Sequence, residues 1–341
     1  MTKDAVLAIL RKENDYISGE HISRLLGVSR AAVNTAVKAL RADGYEISSS
    51  TNKGYHLDAV PNSISAQELA AYLDEARMQT VECLASVDST NNRLRELALA
   101  GAPNGQVVLA NEQTQGKGRR GRAFASPQDN GIYLSILFHP DTLPTDIVEI
   151  TAWTAVATNN AIEEVCGVRA GIKWVNDLVI DRKKICGILT EMSVESESGY
   201  IQYLIIGIGI NVNGQAEDFP EDVRHIATSL AMETGKTHSR AALAAALIRE
   251  LDSMCLAWPK EKTEYLEAYR RDNITTGKEI TVVRGTEEAP AFAVAIGDDF
   301  SLRVRYADGR RHFPVEKSAL RDYIIKITQK SLPFSWKAFR I

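Results

Sequence analysis

Residues 18–57 read SGEHISRLLGVSRAAVNTAVKALRADGYEISSSTNKGYHL, and this stretch decides the fold of the N-terminal part of the chain. Ser18 predicts the start of a helix that Gly27 ends, and Ser29 predicts the start of the next helix. The apolar residues of this later helix fall on one face, at Val33, Ala36, Val37 and Leu40. The runs YEISSS and YHL then flank a turn at 51–54, which predicts a two-stranded ribbon.

The opposite face of the later helix is polar and basic. We predict that it contacts DNA through Ser29, Arg30, Asn34, Lys38 and Arg41. Helix, turn, helix and ribbon in this order are typical of a winged helix-turn-helix domain, whose second motif helix enters the major groove. The alternative that remains open is a domain of the same fold that binds a protein.

Outward from this domain, a short polar connection at 58–64 predicts a domain boundary, so that residues 1–62 form the DNA-binding domain. Ser65 and Glu68 form a capping box that predicts one helix through about Met78. Beyond it, strand-like runs are mixed with long helical patterns at about 145–166 and 239–257. The runs begin at residues 107, 131, 172, 185 and 201. Because several follow one another without a helix between them, the fold class is α+β with a mixed sheet in residues 63–273.

Near the C-terminus the pattern changes to short strands separated by glycine, proline and aspartate. Residues 274–322 therefore predict a small β-barrel, and residues 323–341 form an extension whose role the sequence does not indicate.

The composition excludes several classes of protein. The 341 residues carry 40 basic and 44 acidic side chains, which excludes a chain that binds nucleic acid by bulk charge alone. No apolar run is long enough to cross a bilayer and no signal peptide is evident, so we expect a cytoplasmic protein without a membrane partner. The cysteines Cys83, Cys166, Cys186 and Cys255 lie far apart and predict neither disulfides nor a metal site.

The densest chemical signal is the loop EQTQGKGRRGRAFASP at 112–127. Its glycines alternate with Lys117, Arg119, Arg120 and Arg122, so its backbone N–H groups and guanidinium forks can close around an anion. It is not a phosphate-binding loop of the Gly-Lys-Ser/Thr type, since Gly118 follows Lys117. Taken alone, it also fits a solvated basic turn or a nucleic-acid patch.

Four further motifs accompany the loop. They are DSTN at 88–91, KWVND at 173–177, KICGIL at 184–189 and GIGIN at 207–211. The first offers hydroxyl and amide groups at a helix start, the next two place Lys173, Asp177 and Lys184 on adjoining strands, and the last allows close approach to the backbone. None is decisive by itself.

Together and in this order, after a winged helix-turn-helix, these motifs closely resemble the bifunctional biotin-protein ligase and biotin operon repressor family, over about residues 3–322. The resemblance implies a class II synthetase-like catalytic domain and an SH3-like barrel. It implies that biotin and ATP, with Mg²⁺, form biotinyl-5′-AMP, and that biotin then passes to a lysine of the biotin carboxyl carrier protein of acetyl-CoA carboxylase. It also implies operator DNA as a partner and a homodimer when the adenylate is bound.

The family's functional positions carry over to matching residues of this chain. Biotin-binding positions match Ser89, Thr90, Asn91, Gln113, Lys117, Gly118, Arg119 and Lys184. Nucleotide-binding positions match Gly116, Lys173 and Asn211. Lys184, Arg119 and Asp177 are the catalytic candidates: the two cations stabilise charge during adenylation, and Asp177 orients or deprotonates the carrier lysine.

The chain departs from the family's pattern at Lys117 for arginine, Phe124 for tryptophan and Val175 for proline, and Asp298–Ser301 stand where a glycine normally precedes a strand. Two other functions stay open at this point: a DNA-binding biotin sensor with weak ligase activity, and a lipoate-type ligase. The complete set of Lys184, Arg119 and Gln113 argues against the sensor, and the GKGRRGR loop and N-terminal domain argue against the lipoate ligase. The operator sequence, the carrier proteins, the dimer affinity and the effect of the departures cannot be deduced from the sequence.

Overall fold

The computed structural model of the chain describes residues 2–284, 286–306, 311–312 and 323–327. Its N-terminal part has three helices followed by a two-stranded antiparallel sheet: α1 (Thr2–Lys12), α2 (Gly19–Leu26), α3 (Arg30–Ala42), β1 (Glu46–Ser50) and β2 (Gly54–Ala59). The predicted caps are confirmed, since Ser18 accepts from His21 N and Ser29 accepts from Ala32 N. Gly27 ends α2 in the left-handed conformation that glycine adopts readily.

The helix predicted from Ser65 to Met78 is wrong in one respect. The structure has two short helices there, α4 (Ala66–Leu69) and α5 (Glu75–Met78). Asp74 accepts a hydrogen bond from Arg77 N at 2.8 Å and so caps a new helix, where the sequence pattern suggested continuation.

The central part of the described chain is built on one mixed sheet of seven strands. Its elements are β3 (Val81–Leu84), α6 (Thr90–Leu99), β4 (Val107–Ala110), β5 (Gly131–Phe138), α7 (Ile147–Cys166), β6 (Gly171–Lys173), β7 (Asp177–Ile180), β8 (Lys183–Val194), β9 (Ile201–Asn211), α8 (Leu230–Thr234), α9 (Arg240–Ala257) and α10 (Lys262–Asp272). The strand order is β3-β4-β5-β9-β8-β7-β6. Only β3 and β4 pair in parallel, so the predicted α+β class with a mixed sheet is confirmed.

Helices cover both faces of this sheet. The long helices α7 and α9 pack on one face and share the main apolar core with it. On the other face, Leu94 of α6 packs against Val108, Leu137 and Ile205. The start of α6 therefore lies directly over the middle of the sheet, beside the glycines of β9.

The C-terminal residues form a small antiparallel sheet of five strands in the part of the chain that the structure describes. The strands are β10 (Glu279–Arg284), β11 (Glu287–Ile296), β12 (Leu302–Tyr306), β13 (Arg311–His312) and β14 (Tyr323–Ile327), in the order β13-β12-β11-β10-β14. The extension expected from residue 323 thus begins with a strand that pairs with β10. Residues 313–322 and 328–341 lie outside the described residues.

Hydrogen bonds as well as the chain connect the N-terminal part to the central part. The buried carboxylate of Glu68 in α4 accepts from Arg11 Nη2 at 2.5 Å and from the Tyr45 hydroxyl. Within the ranges described, every helix is too short or too polar to cross a membrane.

Candidate active site

A cluster of neutral polar groups surrounds the start of α6. Gln113 Oε1 accepts from the backbone N of Thr90 at 2.9 Å and lies 3.1 Å from its hydroxyl. Gln113 Nε2 donates to Ser126 Oγ at 2.9 Å, so both ends of the carboxamide are held. Ser89 and Thr90 are buried, although the Ser89 side chain does not cap the helix. This cluster offers donors and acceptors to an uncharged head group.

Asn91 lies beside this cluster, pressed against the backbone of β9. A Cβ atom at Gly207 would lie 2.3 Å from Asn91 Oδ1, so only glycine admits the side chain there. The carboxamide lies 2.6 Å from Ser135 Oγ and donates to Glu191 at 2.8 Å. Asn91 therefore joins α6 to three strands of the sheet.

The cationic loop is folded back on itself as a short hairpin. Phe124 N donates to Gly116 O at 2.9 Å, and Gly118 N donates to Arg122 O at 2.7 Å. Lys117 Nζ reaches Asn92 Oδ1 at 2.5 Å, which attaches the loop to the first turn of α6.

Arg119 turns inward from the loop. Its Nη1 donates to Asn176 Oδ1 at 3.0 Å. Burial lowers the pKa of the Arg119 guanidinium, and the Asp177 carboxylate opposes this shift. The pKa of an arginine is so high that the group stays charged, so burial concentrates a positive charge inside the site.

Lys184 supplies a second positive charge. Its Nζ forms an ion pair with Asp177 Oδ1 at 2.6 Å, and the two side chains are 35% and 24% exposed. The backbone of Lys184 is fixed by Ile226 O at 2.7 Å and Thr228 N at 3.0 Å. Asn211 Nδ2 donates to Thr228 O at 3.0 Å and thereby braces the same segment from behind.

Two neighbouring cavities lie between these groups. A small inner cavity of about 50 Å³ shares Lys117, Gly118 and Arg119 as lining residues with an outer cleft of about 880 Å³. The ring of Phe124 forms part of the inner wall and lies so close to Gly209 that a Cβ there would be 2.5 Å from it. Phe124 or the loop has to move before a bicyclic head group can enter the inner cavity.

The predicted biotin-binding residues are brought together by the fold. The inner cavity is lined by Ser89, Thr90, Asn91, Gln113, Lys117, Gly118, Arg119 and Lys184. Gly116 lines the outer cleft instead. Lys173, Asp177 and Asn211 do not line either cavity, but Asp177 pairs with Lys184, and Lys173 lies opposite Asp177 in the β6–β7 pair.

Several residues of the site were missed by the sequence analysis. Asn176 holds Arg119, Ser126 holds Gln113, and Ser135 and Glu191 hold Asn91. Asn176 and Ser126 had a sequence signal, because they belong to the KWVND motif and to the loop at 112–127. Ser135 and Glu191 are ordinary strand residues, and only the tertiary fold brings them here.

The predicted DNA-binding residues share the exposed side of α3, but two of them have internal partners. Arg30, Asn34 and Lys38 are exposed. Ser29 caps α3, and Arg41 donates through Nε to Ile47 O at 2.9 Å and through Nη2 to Ser49 Oγ at 2.6 Å. Arg41 therefore ties the end of α3 to β1.

Models of known protein families match the N-terminal part of the chain and the central part. Residues 83–211 match the model of the biotin/lipoate A/B protein ligase family, and residues 2–56 match a model of a helix-turn-helix domain. These segments contain the cavity with its loop and the exposed face of α3. The class of protein is thus a biotin/lipoate-type ligase with an N-terminal helix-turn-helix domain.

Individual relatives narrow the class. The bifunctional ligase/repressor BirA of Bacillus subtilis is 39% identical over 242 residues, which cover 71% of this chain and 74% of that protein. BirA of Escherichia coli is 28% identical over 86% of this chain and 88% of its own length. A biotin protein ligase from Aquifex aeolicus, solved in complex with biotin and ATP, shares the fold with a TM-score of 0.61 at 24% identity, over 73% of this chain and 99% of that one. The chain belongs to the family of bifunctional ligase/repressor BirA proteins, and the resemblance inferred from the motifs is confirmed.

Proposed function

We propose that the chain activates biotin with ATP to biotinyl-5′-AMP and transfers biotin to a lysine of the biotin carboxyl carrier protein of acetyl-CoA carboxylase. The observation that carries this proposal is one cavity with a neutral end and a cationic end. Thr90 and Gln113 line the first, and Lys184 and Arg119 line the second. Once Phe124 or the loop has moved, an uncharged head group with a charged tail can enter such a cavity in one direction only.

At the neutral end, the ureido ring of biotin offers both donors and acceptors. Gln113 and the hydroxyls of Ser89 and Thr90 can satisfy them without a charge. Asn91 holds this end in shape through Ser135 and Glu191. In the free protein these groups bond to one another, and an apolar head group that separated them would leave them unpaired, so the site favours a polar head group.

At the cationic end, a biotin carboxylate oxygen attacks the α-phosphorus of ATP. A new P–O bond forms, and the bond to the β-phosphate oxygen breaks with release of pyrophosphate. Two anions must approach each other, so Lys184 and Arg119 lower the barrier by neutralising both. Gly116 and Gly118 carry no side chain and so let the phosphates approach the loop backbone closely. Mg²⁺ enters with ATP as part of the substrate, coordinated mainly by its phosphates.

In the second step, the neutral amine of the carrier lysine attacks the acyl carbon and AMP leaves with the bonding electrons. We assign to Asp177 the orientation of this amine or the removal of its proton. Asp177 already forms an ion pair with Lys184, so both steps depend on the same pair.

The two remaining residues that we assign to the nucleotide lie at the edge of the site. Asn211 supports the backbone around Lys184 and Thr228. We assign it to nucleotide binding next to this segment. Lys173, which lies opposite Asp177 in the sheet, supplies charge for the phosphates.

The N-terminal domain, residues 1–62, is proposed to be a winged helix-turn-helix that binds operator DNA. Arg30, Asn34 and Lys38 enter the groove, and Arg41 shapes the ribbon. Biotinyl-AMP acts as corepressor by promoting a homodimer that presents two such domains to a two-fold-related site. Residues 63–273 form the catalytic domain, and an SH3-like barrel begins at 274.

The test is to incubate the full chain with labelled biotin, ATP and Mg²⁺, follow labelled adenylate, and then add a carrier domain. Lipoate in place of biotin is the matched control. Adenylate without label on the carrier would favour a biotin sensor with weak ligase activity, and adenylate from lipoate alone would favour the lipoate-type ligase. Sedimentation and operator titration with and without biotin plus ATP test the repressor function, at a stated salt concentration.

A further inference from the structure

The segment 173–177 is held from behind by the C-terminal part of the chain. Trp174 is 6% exposed, and its indole Nε1 donates to Phe300 O at 2.9 Å. Its backbone N donates to Thr275 Oγ1 at 2.9 Å. The next residue, Val175, accepts from the hydroxyl of Tyr269 in α10 at 3.3 Å. Three groups that are distant in sequence thus fix two adjacent residues.

The turn that supplies the Phe300 carbonyl is itself strongly held. Gly297 N donates to Ser301 O at 2.8 Å, and Phe300 N donates to Gly297 O at 3.0 Å. Arg270 of α10 donates to Ile296 O at 2.9 Å and to Asp298 at 2.7 Å.

Phe300 adopts a φ of +59°, and its ring is fully buried against Tyr269. A bulky residue rarely takes this conformation unless its surroundings fix it. The surrounding residues therefore hold this turn in a fixed conformation, although Asp298–Ser301 stand where the family normally has a glycine before the strand.

On its other side, the same segment holds the two cations of the site. Asn176 exchanges hydrogen bonds with the backbone of Ile188 at 2.9 Å and accepts from Arg119 at 3.0 Å. Asp177 pairs with Lys184 at 2.6 Å. Asn176, which follows Trp174 and Val175, thus fixes the guanidinium of Arg119. Asp177 fixes the ammonium group of Lys184.

We propose that Trp174 is a positioning residue for adenylate formation and retention, and that the turn 297–301 of the small C-terminal sheet holds it in place. Through Trp174 the C-terminal sheet sets the position of Asn176 and hence of Arg119, without touching the ligand. This inference rests on the proposed ligase function only for its retention readout. The link from Trp174 to the loop exists without any ligand.

The experiment uses the full chain with Trp174→Phe, which removes the indole N–H and keeps an aromatic ring. Trp258→Phe is the matched control, because Trp258 packs on Trp153 away from the site. The first readout needs no ligand: trypsin cleavage within the loop after Lys117, Arg119, Arg120 and Arg122, measured by mass spectrometry against cleavage after the exposed Lys236. The second is the rate of biotinyl-AMP release divided by its rate of transfer to a carrier domain. The release ratio does not depend on the folded fraction, and the trypsin ratio is compared under conditions in which urea unfolding shows each variant to be fully folded.

For Trp174→Phe we expect loop cleavage and the release ratio to rise about tenfold, the size expected when one buried hydrogen bond is lost. For Trp258→Phe we expect values within about twofold of wild type. Equal ratios for the two variants would overturn the inference. If Trp174→Phe does not fold, Thr275→Val removes the hydroxyl beneath the Trp174 backbone at nearly the same volume, and the same comparison decides. If wild type makes no adenylate, the proposed function fails, and the trypsin ratio alone then decides the inference.

Discussion

Replacing Lys184 with methionine tests the chemistry of the site most directly, because it removes one charge and keeps most of the side-chain volume. The ammonium group lies 2.6 Å from Asp177, on a backbone held from both sides. Its position is therefore defined by the fold before any ligand binds. We expect adenylate formation to fall while the fold remains intact.

The size of the loss follows from the location of the charge. Two unit charges 4 Å apart interact by about 4 kcal/mol at an effective dielectric constant of about 20. The Lys184 side chain is 35% exposed and shares its charge with Asp177, so solvent and the ion pair reduce this value. About 2 to 3 kcal/mol remains for the transition state, which corresponds to a loss of about 30- to 150-fold in rate.

The assay is pyrophosphate release from biotin and ATP at saturating concentrations, with urea unfolding of each variant as a check on stability. Lys183→Met is the control, because it makes the same chemical change one residue earlier in β8, where the side chain points to the opposite face. If the Lys184→Met enzyme released pyrophosphate at a rate within about threefold of wild type, its activation free energy would have risen by no more than about 0.7 kcal/mol. The role assigned to Lys184 would then be refuted.

Three further predictions concern the loop, the DNA surface and the core. Arg119→Gly should release biotinyl-AMP about tenfold faster while forming it at a smaller loss, since the bond to Asn176 that closes the loop disappears; mass spectrometry of free adenylate checks this, and release at the wild-type rate would contradict it. Arg30→Ala with Lys38→Ala should lower the salt dependence of operator binding by about two phosphate contacts and leave adenylate formation unchanged, because both residues are exposed on α3; an unchanged salt slope would exclude them from the interface. Burial raises the pKa of Asp272, but hydrogen bonds from Arg169 and Arg271 lower it by more than burial raises it, so the pKa in the folded state lies below 3.8. Asp272 therefore stabilises the fold above about pH 4, and this contribution is lost as the pH falls through the folded pKa; Asp272→Asn should cost about 2 kcal/mol in urea unfolding at pH 7 and progressively less below pH 4, whereas a constant difference would rule out the ion pair as the cause.

Local signals in the sequence were sufficient to predict the structure where a residue type has one characteristic structural role. Ser18, Gly27 and Ser29 mark helix ends as predicted, and the strand runs beginning at 107, 131 and 201 appear as β4, β5 and β9. The structure brings together motifs that the sequence analysis had singled out separately. DSTN, the cationic loop and KICGIL, which are separated by up to about a hundred residues, line one cavity.

Other features depend on partners that are distant in the chain. Arg41 stays a predicted DNA contact, but its hydrogen bonds to acceptors of β1 could not be predicted from its position on the helix. Ser135 is one polar residue in a strand that is otherwise apolar and fully buried, and its place under Asn91 follows only from the position of α6. Periodicity reports which face of an element is buried, but not which polar group on another element will meet it.

The buried guanidinium of Arg240 links the two ends of the bifunctional chain. It donates to Asn62 O at 2.9 Å in the interdomain connection, to Gly131 O at 2.9 Å where β5 begins, and to Asn111 Oδ1 at 2.7 Å, two residues before Gln113. The Arg240 side chain is fully buried, and burial lowers its pKa while Asp129 at 2.8 Å opposes the shift. A buried charge with these acceptors cannot give up one of them without a large cost. The connection to the N-terminal domain is therefore held at Asn62 by the same guanidinium that binds the strand ends next to the site.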